Sequence, residues 1–312
     1  MKLNFFKFQL VALFLIAATT GFAQADSVIA IPGSKCKMAP PKGFTVAENF
    51  SGFQNLPIGA SIMITEIPSN YIEILNGFNT ENLQKAGIVL VNKSEILVNE
   101  IPVHFFTLTQ MANNTQFKKY VFIFGNDKET IMVNGIFPES EKDADAAILK
   151  SMKTIQYNKD VVVDGKQVAQ FSLDETGSGL LYSGYMQCAL MYSQDGKMPT
   201  NSADKAVFTA AGSLSNTPIT DKKEYTEKRL KGMPRGSYNT IKSTSPITIN
   251  GINGYEIIAE GKDNDNKPQL VYLVMLYPEN NSYYILVGMT SAKFDTYLPA
   301  FQQMAKTFKL KE

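Results

Sequence analysis

The chain repeats itself, and the repeat is the size of a domain. Residues 101–157 run through IPVHFFTLTQ, KKYVFIFGNDKETIMVNG, an acidic stretch and AAILKSMKTIQY. Residues 252–310 run through INGYEIIAEG, QLVYLVMLYPENNSYYILVG, a short polar stretch and LPAFQQMAKTFKL. Gly135 falls on Gly288 and Lys153 on Lys306, at the same separation of 153 residues. Self-similarity at that period means two copies of one fold, not a solenoid of short units. No reactive side chain repeats with it, so the shared part is scaffold. The starts of the copies, roughly 36–55 and 171–200, align worst, and a function that separates the copies belongs there.

Local patterns predict the elements. In the first copy ASIMITEI (60–67) reads as a strand and 70–87 as a helix, with Thr80 as N-cap and Gly87 as stop. Strands follow near 88–91, 94–98, 101–109, 118–125 and 129–136, the last two joined tightly through Asn126-Asp127-Lys128. A closing helix opens on Glu139, Glu141, Asp143 and Asp145 and buries Ala144, Ala147, Ile148 and Met152 at helical spacing. The second copy repeats this order. AVFTAAGS (206–213) is the strand and Thr220 to Met233 the helix. Strands near 246–249, 252–260, 269–277 and 282–289 follow, then a helix in which Pro299 is tolerable as a first-turn residue. YVFIF and LVYLVMLY carry consecutive apolar residues, so both faces of those strands are covered. The expected fold class is α+β: two tandem layered domains, each an antiparallel sheet packed with helices. The expected division is a signal peptide over 1–24, domains over 25–157 and 171–312, and a linker over 158–170.

The signal peptide rests on Lys2 and Lys7, the apolar run VALFLIAA (11–18) and small residues before cleavage at Ala23 or Gln24. That run is well under the ~18–20 residues of a membrane span. No later segment is longer, so the mature chain is expected to have no transmembrane segment and to be periplasmic or secreted. Loss of Lys2 and Lys7 takes the formal charge from +1 to about −1. That near-neutral balance offers no electrostatic case for nucleic acid. Cys36 and Cys188 are the two cysteines. In an oxidising compartment they form a candidate disulfide, with two free buried thiols as the equal alternative.

The strand–helix–meander–helix order, the segment PPKGF (40–44), the apolar hairpins 118–136 and 269–289 and the endings KTIQY and KTFKL resemble the PsbP-like and DcrB-like superfamily. The resemblance covers nearly all of the mature chain, although the second copy lacks a clear PPKGF. It implies a non-enzymatic scaffold that binds other proteins or sits in an assembly. Asp26-Ser27-Val28 resembles the site that Bacteroidetes-type bacteria O-glycosylate on exported proteins.

Chemical motifs are scarce. His104 is the single histidine and lies among apolar neighbours in a strand, where a structural role is the ordinary one. GKDNDNKP (261–268) has the acids of a calcium loop, but Pro268 and Val274 stand where an EF-hand needs Gly and Glu, and a hairpin turn accounts for it. GSG (177–179) lacks the Gly-Lys-Ser/Thr of a phosphate loop. The acids 139–145 match a helix dipole. Catalytic, cofactor and metal residues are therefore none, and no cofactor is expected. Lys222, Lys223, Lys228, Arg229, Lys231 and Arg235 form a basic helix face, the candidate partner-binding surface. The leading expectation is a non-catalytic interaction or assembly module of the bacterial envelope whose partner is another envelope protein. The alternative is a carrier for a small apolar ligand, with Tyr182, Tyr185, Met186, Met191 and Tyr192 in the segment that breaks the repeat.

Overall fold

The structure is a computed structural model and describes residues 27–214, 218–234, 236, 239–279 and 282–311. The expected signal peptide over 1–24, Asp26 and Arg235 lie outside the described residues.

The first copy carries β1 (Ile29–Ala30), β2 (Cys36–Met38), β3 (Thr45–Val46), β4 (Gly52–Asn55), β5 (Ala60–Ile67), α1 (Tyr71–Gly77) and α2 (Thr80–Lys85). It continues with β6 (Ile88–Val98), β7 (Ile101–Ala112), β8 (Thr115–Gly125), β9 (Thr130–Pro138), α3 (Lys142–Met152) and β10 (Gln156–Tyr157). After α4 (Gly165–Val168) the second copy carries β11 (Phe171–Ser172), β12 (Leu181–Met186), β13 (Ala189–Ser193), β14 (Val207–Gly212) and α5 (Lys222–Lys231). It ends with β15 (Thr240–Ile249), β16 (Ile252–Lys262), β17 (Pro268–Leu276), β18 (Tyr284–Thr290), α6 (Phe294–Lys306) and β19 (Lys309–Leu310).

The fold class is α+β, with two seven-stranded antiparallel sheets of identical connectivity. Their orders are β3-β4-β5-β9-β8-β7-β6 and β12-β13-β14-β18-β17-β16-β15. The consecutive apolar runs have the consequence expected of them. Tyr120, Phe122 and Phe124 of β8 join α3 in one core, while Val121 and Ile123 face α1 and α2 in another. In β17, Tyr272, Val274 and Leu276 meet α6, and Val271, Leu273 and Met275 meet α5. Two-residue turns of left-handed backbone close the hairpins: Asn99-Glu100 (φ 46° and 67°), Asn113-Asn114 (49° and 60°) and Asn250-Gly251 (46° and 82°). These conformations suit Asn and Gly and match strand twist.

The paired residues of the repeat have a structural reason. Gly135 on β9 leaves room for α3: a Cβ there would stand 2.5 Å from Ile148 and 2.9 Å from Met152. Gly288 on β18 does the same for α6, where a Cβ would stand 2.4 Å from the Phe301 ring. The Lys-Thr endings are ties. Thr154 Oγ1 donates to the Ser151 carbonyl and accepts from the Ala39 N–H at 2.8 Å. Thr307 Oγ1 donates to the Met304 carbonyl and accepts from the Asp174 N–H at 2.9 Å. Each therefore joins the end of its copy to the beginning. Asn99 Nδ2 reaches the Ile155 carbonyl at 2.8 Å, and Asn250 Nδ2 reaches that of Phe308 at 2.5 Å.

Four local expectations are corrected. The helix over 70–87 is two helices, with Asn70 and Asn79 rather than Thr80 as caps, and Gly87 turns at φ 69°. The break lets Phe78 pack on Phe106 at 5.3 Å between ring centroids. Strands 88–91 and 94–98 are one, interrupted only by a bulge between Leu90 and Asn92. β15 begins six residues earlier than its apolar end, because the polar stretch TIKSTS pairs with β16 as fully as the rest. Pro299 lies in the second turn of α6, not the first, which leaves the Asp295 carbonyl without its intrahelical donor.

Candidate functional site

Between the two copies lies a cavity of about 400 Å³. The first copy contributes the segment Ala47–Phe50 with Gln54 and Leu56, and the second contributes Phe171, Tyr185, Gly212, Ser213, Leu214 and Tyr284. Two hydrogen bonds pin the walls together. Asn49 Nδ2 donates to the Ser213 carbonyl at 2.8 Å, and Gln170 Nε2 donates to the Glu48 carbonyl. Asn49 Oδ1 has no hydrogen-bond partner among the described residues. Among the described residues of the lining, Glu48 is the one formally charged side chain.

The position of the cavity follows from how the copies differ. β10 pairs with β2, Tyr157 opposite Cys36, and β19 pairs with β11, Leu310 opposite Phe171. Those registers place Gln170 where the first copy has Lys35. In the larger sheets Glu66 stands opposite Ile131 as Gly212 stands opposite Tyr284. Ser282 precedes β18 as Glu129 precedes β9.

In the first copy, Lys35, Glu66, Glu129 and Tyr157 fill this end of the sheet with a polar network. Lys35 Nζ meets Glu129 Oε1 at 2.5 Å, and the Tyr157 hydroxyl donates to Glu129 Oε2 at 2.5 Å. Ser34 Oγ and the Lys35 N–H both donate to Glu66 Oε1, at 2.7 and 2.6 Å. Burial raises the Glu66 carboxyl above its ordinary value, against the lowering effect of those donors. In the second copy the same four positions hold Gln170, Gly212, Ser282 and Leu310, and three of them line the cavity. Two ion-pairing chains and a carboxylate have given way to smaller neutral groups, and the space stays open.

One wall is a strained hairpin. The β12–β13 turn is Gln187-Cys188, at φ 49° and 62° with neither Gly nor Asn, a conformation that costs energy for such residues. The Cys188 sulfur has the Ser51 backbone and the Tyr185 hydroxyl as hydrogen-bond partners, so the tip is held across the junction of the copies. Burial raises its thiol pKa. Behind the hairpin, Tyr182 and Tyr185 lie so close to Gly165 at the start of α4 that a Cβ there would stand 2.5 and 2.1 Å from them.

The Cys36–Cys188 disulfide considered from the sequence is not formed, and both are free thiols. Cys36 is 1% exposed inside the first core, where burial pushes its thiol up to about 12. The fold commits the two cysteines to different packing. Of the aromatic and methionine residues singled out in 182–192, Tyr185 alone lines the cavity, while Met191 and Tyr192 are buried. The basic helix face lies on α5, which contributes no residue to the cavity lining. Lys228 pairs with Glu224 at 2.8 Å, Lys231 donates to the Asn239 carbonyl, and Lys222 sits 5.5 Å over the Tyr277 ring. Burial raises the Tyr283 hydroxyl pKa, with the nearby Arg229 charge opposing it, and Lys223 is on the same helix.

The remaining motifs are local structure. His104 Nδ1 lies 3.4 Å from Glu95 Oε1, outside hydrogen-bond geometry, and the ring stacks on Tyr71. Asp263 Oδ1 accepts from the Asp265 and Lys267 N–H groups, and Oδ2 accepts from Ser291, so the carboxylate organises the β16–β17 turn. Asp145 takes hydrogen bonds from Lys118 and Tyr120 besides standing in the first turn of α3. Among the described residues no three His, Cys, Asp or Glu side chains stand together as a metal site. No described helix is long and apolar enough to cross a membrane.

The cavity was only partly visible from the sequence. Glu129/Ser282 and Tyr157/Leu310 lie at the repeat's own separation, and the loss of a carboxylate and of its hydroxyl partner there is the signal. Lys35/Gln170 and Glu66/Gly212 lie at other separations and emerge only from the ladders.

No protein-family model matches the chain, and no curated protein does. Among solved structures, the chain is similar to PA94 of Pseudomonas aeruginosa, a putative regulator of unknown function. That match has 13% identity and TM-score 0.31, and covers 51% of this chain and 92% of the other. It is similar to the cyanobacterial PsbP of Synechocystis, with 12% identity and TM-score 0.31, over 46% of this chain and 99% of the other. A longer match is to the type VI secretion immunity protein TplEi of Pseudomonas aeruginosa, with 7% identity and TM-score 0.30, over 91% of this chain and 97% of the other.

Proposed function

We propose that this chain is an exported, non-catalytic binding protein of the bacterial envelope, periplasmic or secreted, that holds a small, largely apolar ligand between its two copies. In this reading the copies are PsbP/DcrB-like domains spanning 25–157 and 171–312, with 158–170 between them and 1–24 removed on export. The observation that carries the proposal is the cavity's placement. It opens where the second copy has lost the Lys35–Glu66–Glu129–Tyr157 network, and the first copy forms its other wall.

About 400 Å³ lies within the range of small-molecule sites. Phe50, Phe171, Tyr185 and Tyr284 supply aromatic surface, and Asn49, Gln170 and Ser213 supply polar groups that orient what enters. With Glu48 as the charged member of the described lining, the site favours a neutral or cationic ligand. Burying ~200 Å² of apolar ligand surface is worth about 5 kcal/mol at ~25 cal/mol per Å². Association costs consume much of that, so the polar contacts decide affinity.

The test is native mass spectrometry of the chain released gently from its own cell envelope, beside the Leu214→Trp variant. Leu214 lines the cavity and is 50% exposed, so an indole there fills space without disturbing a core. The wild type is expected to carry an additional small-molecule mass, and the variant to lose it with an unchanged thermal midpoint. A bare wild type, or a ligand kept equally by Leu214→Trp, overturns the reading.

A further inference from the structure

β6 is the outer edge of the first sheet, and β15 is the same edge of the second. The two edges are finished differently. β15 reads TIKSTSPITI, with Pro246 in its interior, Ser and Thr along it, and Lys242 paired with Glu260 at 2.9 Å. Proline and polar residues of this kind keep a strand edge from recruiting another strand. β6 reads IVLVNKSEILV, has no proline, and leaves Val89, Val91 and Leu97 exposed at 58, 58 and 72%. Both strands share a bulge near their starts, so the bulge belongs to the scaffold. Beyond it, Asn92–Val98 is regular.

We propose that β6 is a self-association surface, on which a second copy of this chain pairs antiparallel across a two-fold axis at Ser94. The charge pattern specifies the occupant and the register. Lys93 and Glu95 lie on one face of β6, opposite Phe106 and His104 of β7. Directly opposed residues of an antiparallel pair share a face and interact. With the axis at Ser94, Lys93 lies opposite Glu95 of the partner subunit and Glu95 opposite Lys93 of the partner subunit. Asn92 then meets Ile96 of the partner subunit, and Val91 comes beside Leu97 of the partner subunit, covering the two apolar side chains. Outward-facing backbone groups alternate along the edge, so the neighbouring symmetric registers are two residues away. One sets Lys93 against Lys93 and the other sets Glu95 against Glu95, and like charges directly opposed repel. The sequence is thus complementary to itself in one register and repulsive in those beside it.

Sedimentation equilibrium of the purified chain from ~1 to ~200 µM tests this, a range that covers ordinary reversible dimers. The wild type is expected to dimerise. Lys93→Glu and Glu95→Lys, each creating two like-charge oppositions, are expected to weaken the dimer roughly tenfold or more. The double variant K93E/E95K restores the wild-type constant, and an equimolar mixture of the two single variants forms a heterodimer that neither forms alone. Both residues are exposed, so thermal midpoints of the single variants report whether each has folded. A monomer throughout the range, whatever else binds the edge, overturns the proposal. So does a dimer indifferent to Lys93→Glu.

Discussion

Substituting Gly288 by alanine tests whether the repeat exists to hold helix and sheet together. The new methyl would stand 2.4 Å from Cγ of Phe301 and 2.5 Å from Cδ2. Carbon–carbon contacts settle near ~3.5–4.0 Å, so the ring must retreat by about 1 Å or more. Phe301 has nowhere to go, because it is fully buried and packs on the rings of Tyr297 and Phe208 at centroid distances of 5.9 and 6.0 Å. Overpacking of this kind costs about 1–3 kcal/mol. Alanine recovers about 0.5–1 kcal/mol by restricting the unfolded chain, which leaves a net loss of about 1–2 kcal/mol. For a domain of this size that lowers the thermal midpoint by about 2–8 °C.

Urea and thermal unfolding followed by circular dichroism measure the loss. Phe301→Leu in the Gly288→Ala background supplies the control, because removing the ring removes the clash. The double variant should be more stable than the sum of the single losses allows, with a coupling of about 1 kcal/mol. Gly135→Ala should cost less, since it meets the Ile148 methyl and the flexible Met152 thioether in place of a ring. Full stability of Gly288→Ala, or strict additivity with Phe301→Leu, would refute the packing argument.

Two further predictions follow from the polar ties. Thr307→Ala removes the acceptor for the Asp174 N–H, and Thr154→Ala the acceptor for the Ala39 N–H. Each should destabilise its copy by about 1–2 kcal/mol in urea melts, with serine restoring most of it. Glu66 holds its proton more tightly in the folded chain than in the unfolded one, because burial raises its carboxyl. Its contribution is therefore present at and below the ordinary carboxylate range and is lost as pH rises through the folded value. Glu66→Gln, which keeps an acceptor for Ser34 and Lys35, should gain stability relative to wild type as pH rises above the ordinary carboxylate range and not below it. A stability difference independent of pH would count against this account of Glu66.

Much of the fold was legible because its signals are periodic or compositional. The doubled apolar runs of β8 and β17 require cover on both faces, and the Gly135/Gly288 spacing marks close helix approach. Boundaries were less legible where a side chain, not a pattern, decides them. Asn79 ends one helix and begins another, and β15 starts in a polar stretch that only its β16 ladder stabilises. The cavity was least legible, since it is defined by what four positions no longer contain. Insertions shift two of those positions off the repeat, so a difference that is plain in space is scattered in sequence. Cys188, Tyr185 and Phe171 fell within the segment marked as divergent, while Gly212 carries no local sign of its place in the wall.

The closing strands have a consequence for how such a chain arises. β10 returns to pair with β2 and β19 to pair with β11, so each copy enters and leaves at the same edge of its body. A unit whose two ends meet can be duplicated in a gene without rethreading, because the new copy needs only a short bridge such as the segment holding α4. It also fixes what the copies have in common at their meeting point: the place where one ends is the place where the next begins. Divergence at that seam can therefore open a chamber while leaving both bodies intact. By the same geometry, each unit should tolerate circular permutation at its seam.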